Sequence, residues 1–79
     1  MPRVQRNYVN RFITIRSDDL RSLDKDGQEI SDIIDSYGGS NPYPRLVADN
    51  GILIYSFTTK IPNNNIQEFD KELEESLIL

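Results

Sequence analysis

Carboxylates are the only side chains in this sequence present in numbers that could do acid–base or metal chemistry. Thirteen Asp and Glu stand against nine Lys and Arg in 79 residues, with no His and no Cys. The missing imidazole and thiol remove the groups that most often carry proton transfer, soft-metal binding and nucleophilic attack near neutral pH. Paired acids remain: Asp18 with Asp19, and Asp32 with Asp35 three residues on. Such pairs can assist hydrolysis or hold a hard cation. Without a base beside them they read as a solvated helix face. Asp24-Lys25-Asp26-Gly27 has the order of a calcium loop. In that register the first ligand falls on Ser22 and the bidentate acid on Ile33, while the apolar eighth position is Glu29. The segment therefore reads as a turn. Ser36-Tyr37-Gly38-Gly39-Ser40 lacks the Lys and spacing of a phosphate loop. The expectation is no catalytic residue, no metal and no cofactor: not an enzyme.

Arginine is the other concentrated chemistry. Residues 1–21 hold Arg3, Arg6, Arg11, Arg16 and Arg21 against Asp18 and Asp19. Residues 22–44 hold one Lys against five acids, and residues 62–79 do the same. Guanidinium groups bind carboxylate or phosphate in bidentate fashion. Either an Arg-rich face meets an outside anion, or acidic helices neutralise the basic strand within the fold. The net charge of −4 favours internal neutralisation. Aromatics interleave with these bases, as in single-strand binders, so Arg3, Arg6, Tyr8, Arg11 and Arg16 are the candidates for nucleic acid. Strand alternation sets Tyr8 and Phe12 opposite Arg11, which favours a core strand with edge arginines.

These side chains must be positioned by short elements. Tyr8 to Arg16 is aromatic and β-branched and reads as a strand. One face carries Tyr8, Asn10, Phe12 and Thr14, the other Val9, Arg11, Ile13 and Ile15. Apolar residues on both predict a central strand partly covered on each side. Ser17-Asp18-Asp19 is a helix N-cap cluster. Apolar spacing then predicts helix over 18–37, with an interruption favoured at Gly27 because two Asp and a Gly disfavour helix interior. Gly38-Gly39 ends it. Residues 45–49 and 52–59 form a hairpin about Asn50-Gly51, the strongest short hairpin signal. Leu46, Ala48, Leu53, Tyr55 and Phe57 make the face expected to lie under helices. Ile61-Pro62 ends the hairpin, Asn63, Asn64 and Asn65 supply a cap, and Ile66, Phe69, Leu73 and Leu77 mark an amphipathic helix.

The expected fold is a single α+β domain over 1–79, with 1–7 a flexible polar start. Its order is β-α-β-β-α, a three-stranded antiparallel sheet with two helices packed on one face. In topology alone this is similar to a ferredoxin-like unit lacking its last strand. A small core, open sheet edges and the apolar ending Leu77-Ile78-Leu79 predict a homodimer, through sheet-edge or helix packing. No stretch reads as a signal peptide or membrane span, which makes the cytoplasm the expected location and a membrane partner unexpected. The function read from the sequence is a small acidic protein-interaction module. It would act as an adaptor, accessory subunit or inhibitor of a larger basic partner. Arg6, Arg11, Arg16, Tyr37, Tyr43, Leu77 and Ile78 are the candidate partner-binding residues. The alternative is a nucleic-acid-binding regulator using the Arg-rich N-terminal strand.

Overall fold

A computed structural model describes residues 7–77. Its elements are β1 (Tyr8–Ser17), α1 (Leu20–Ser36), β2 (Arg45–Asp49), β3 (Ile52–Pro62) and α2 (Ile66–Leu77). A 3₁₀ turn, Asn63–Asn65, leads into α2. The order is the expected β-α-β-β-α. The sheet is antiparallel throughout, in the spatial order β1-β3-β2.

The hairpin forms where its turn residues demand it. Asn50 and Gly51 take positive φ of 50° and 81°, and Asp49 faces Ile52 across a two-residue loop. β3 runs past the expected end at Thr59 because Lys60, Ile61 and Pro62 pair with Asn10, Val9 and Tyr8. That long pairing makes β3 the central strand. β1 is an edge strand, which corrects the expectation of a central one.

Ser17 and Asp19 start α1. The Ser17 hydroxyl accepts from the Asp19 N–H at 3.0 Å, and the Asp19 carboxylate accepts from the Arg21 N–H at 3.2 Å. The helix then runs unbroken through Gly27, so the favoured interruption is also corrected. Gly27 is buried and faces the sheet. Helix propensity was outweighed by tertiary packing, since the Tyr55 ring occupies the space a side chain would need. Gly38, at φ 73°, turns the chain out of α1, and the Gly39 N–H donates to Ile34 O at 2.8 Å. The Asn triplet forms the 3₁₀ turn without a side-chain cap. The Asn65 amide instead donates to Tyr37 O at 3.0 Å, tying the start of α2 to the end of α1.

Alternation along the strands decides burial. Ile13, Phe57 and Ile61 point to the helix side and form one core with Ile30, Ile33, Ile34 and Phe69. Leu23 is also fully buried. Tyr37 meets Phe69 edge to face, with ring centroids 6.1 Å apart. Thr59 is the one buried polar residue among those described, and its hydroxyl donates to Ser40 O. The even-numbered residues of β1 and β3 point the other way, and no helix among the described residues covers them.

Candidate interaction surface

The uncovered side of the sheet is the surface that gathers distinct chemistry. Strand parity places Tyr8, Asn10, Phe12, Thr14 and Arg16 of β1 there. Their neighbours on β3 are Ile52, Ile54, Ser56, Thr58 and Lys60, followed on β2 by Arg45, Val47 and Asp49. Phe12 is 69% exposed and lies opposite Thr58. Tyr8, Val47 and Ile52 are also exposed there. No element among the described residues packs over this phenylalanine.

Charge on this face opposes that of the chain. Arg16, Arg45 and Lys60 stand against one acid, Asp49. The helices carry the excess of Asp and Glu: α1 has five against Arg21 and Lys25, and α2 has five against Lys71. The fold therefore sorts charge into a basic sheet face and an acidic helical side. At the hairpin end, Arg16, Asp49, Asn50, Ile52 and Ile54 line a shallow depression. A more open one on the helical side is lined by Tyr37, Glu68, Lys71, Glu72 and Glu75.

Arg11 does not join the basic face. It points to the helix side and clamps Asp70 of α2, Nε to Oδ1 at 2.9 Å and Nη2 to Oδ2 at 2.7 Å. This hydrogen-bonded pair holds the Asp70 carboxyl below its ordinary pKa. Here basic strand and acidic helix do neutralise within the fold. Two adjacent positions of the Arg/aromatic pattern thus part company: Phe12 faces outward and Arg11 inward, while Arg16 shares the outer face with Tyr8 and Phe12.

The remaining candidates are scattered. Tyr37 is half-buried against Phe69, and the neighbouring Glu72 carboxylate raises its phenol pKa. Tyr43 is 75% exposed on the loop before β2. Leu77 ends α2, and Arg3, Arg6 and Ile78 lie outside the described residues. Arg45, Lys60 and Val47 were not among the sequence candidates. Their signal was the parity of the hairpin about Asn50-Gly51, which already put Val47 on the face away from the expected helices.

Among the described residues, no group of three or more acidic side chains converges as a metal site. No helix among them is long and apolar enough to cross a membrane. No protein-family model, curated protein or solved structure matches this chain.

Proposed function

We propose that this chain is a binding module rather than an enzyme, and acts in the cytoplasm as an adaptor, accessory subunit or inhibitor of a larger protein. The open sheet face is its working surface, and the partner presents an acidic patch with an apolar centre. The observation that carries this reading is Phe12, exposed on a sheet face that it shares with Arg16, Arg45 and Lys60 in an acidic chain. Aromatic side chains are enriched in interfaces and often anchor them. The partner's charge follows from the face that meets it, not from the net charge of the chain.

Single-stranded nucleic acid is the second reading, because Tyr8 and Phe12 share the face with Arg16. It ranks second because the acidic helices and a net charge of −4 oppose approach of a polyanion. Capture from source-cell extract with mass spectrometry tests the first reading. The supporting result is one protein that is retained by wild type and lost when Arg16, Arg45 and Lys60 all become Glu. The same protein must still be held when Glu68, Glu72 and Glu75 become Lys. Capture indifferent to the sheet substitutions would refute the surface. An oligonucleotide bound tighter than about 10 μM, with affinity falling steeply as salt rises, would reverse the ranking.

A further inference from the structure

The outer edge of β1 is long, regular and undefended. Its ten residues pair with β3 without a bulge, and among the described residues no strand pairs with its other side. Natural edges are usually blunted by proline, an inward-facing free charge, a bulge or a covering loop. β1 has no proline or bulge, and its inward-facing cation, Arg11, is already held by Asp70. The other edge, β2, has only five residues.

We propose that β1 pairs antiparallel with β1 of a second copy about a twofold axis at Phe12, making one six-stranded sheet. The edge is self-complementary in that register. Directly opposite residues of an antiparallel pair share a face, so the open side would set Phe12 on Phe12, Asn10 on Thr14 and Tyr8 on Arg16 of the other copy. These are one aromatic pair, two hydrogen-bonding pairs and two cation–aromatic pairs. On the helix side, Val9 meets Ile15 and Arg11 meets Ile13. No like charges face each other. A register centred on Ile13 instead would put a residue already buried at the axis and leave Phe12 opposite Thr14. Centring on Phe12 packs the most exposed apolar side chain of the strand side by side with its own copy, and the outward surface of each ring stays on the open face. Both helical layers then lie on one side, and the basic faces join into a continuous surface. This pairing does not depend on what that surface binds.

The register is read by cysteine crosslinking, since the chain has no Cys of its own. In Phe12→Cys the two thiols would be directly opposite, within the Cα separation of roughly 4.4–6.8 Å that a disulfide spans. In Thr14→Cys they would lie about four residues apart along the strands, roughly 13 Å and out of reach. Mild oxidation should therefore convert Phe12→Cys to covalent dimer and leave Thr14→Cys largely monomeric. Sedimentation equilibrium of wild type over about 1–100 μM should show twice the chain mass. Phe12→Asp, which sets two carboxylates together at the axis, should give monomer with an unchanged circular dichroism spectrum. Equal crosslinking at the two positions would overturn the Phe12-centred register. Concentration-independent monomer for wild type would overturn the pairing itself.

Discussion

The ring of Tyr55 lies where a side chain at position 27 would go. A Cβ added to Gly27 would sit 2.8 Å from Tyr55 Cδ2 and 2.9 Å from Cε2. The ring is held there from its far end, because the Tyr55 hydroxyl donates to Asp24 one turn earlier in α1. The same carboxylate raises the phenol pKa.

That contact reverses the usual effect of replacing glycine in a helix. Alanine would gain about 1 kcal/mol of helix propensity, but overpacking against a fixed ring costs about 1–3 kcal/mol. Gly27→Ala should lower stability by about 1 kcal/mol net. In a Tyr55→Ala background the same change should raise it, because the two residues are coupled. Urea midpoints for the four proteins test this. A stabilised Gly27→Ala single variant would show that the ring is free to move aside.

Gly51 is a purely conformational case. Its φ is +81°, and nothing lies within 4 Å of an added Cβ. Gly51→Val should cost more than about 1 kcal/mol through backbone strain alone, since β-branched residues resist positive φ. An unchanged denaturation midpoint would contradict the turn.

Adjacent residues of β3 should differ sharply. Phe57 is fully buried and its neighbour Thr58 is exposed on the open face. Phe57→Ala should cost about 3–5 kcal/mol. That equals the net stability of about 3–5 kcal/mol expected for so small a core, so the variant should be largely unfolded. Thr58→Ala should cost less than about 1 kcal/mol, the whole span of strand propensity. Far-UV circular dichroism separates the two outcomes.

The Arg11–Asp70 pair gives stability a pH dependence of definite sign. Asp70 has a lowered pKa in the folded state. Its contribution is therefore present above the ordinary carboxylate pKa of about 4 and is lost as pH falls through the lowered value. The two side chains are 36% and 42% exposed, so solvent screening limits the pair to about 0.5–1 kcal/mol. Asp70→Asn should cost that much at pH 7, and the gap from wild type should close in strong acid. Denaturation at several pH values measures it, and a gap that widened on acidification would contradict the assignment.

What could be read along the chain was whatever neighbouring residues settle among themselves. Asn50-Gly51 takes positive φ because Asn tolerates it and Gly lacks a Cβ, so the hairpin register from Asp49–Ile52 to Leu46–Tyr55 was legible in advance. The helical stripes of α1 and α2, the stop at Gly38 and the order β-α-β-β-α were legible for the same reason. Contacts between distant segments decided the rest. Gly27 reads as a helix breaker until Tyr55, on another element, fills the space beside it. β3 continues to Pro62 because β1 offers partners that far, and this pairing places β3 between the other two strands. Alternation shows that Arg11 and Phe12 face opposite ways, but not which face the helices cover. Packing α1 and α2 on the odd-numbered side brought Arg11 to Asp70 and left Phe12 in the open beside the basic residues of three strands. Backbone preference is set by adjacent atoms, whereas burial depends on which surfaces meet, and those surfaces belong to segments far apart in sequence.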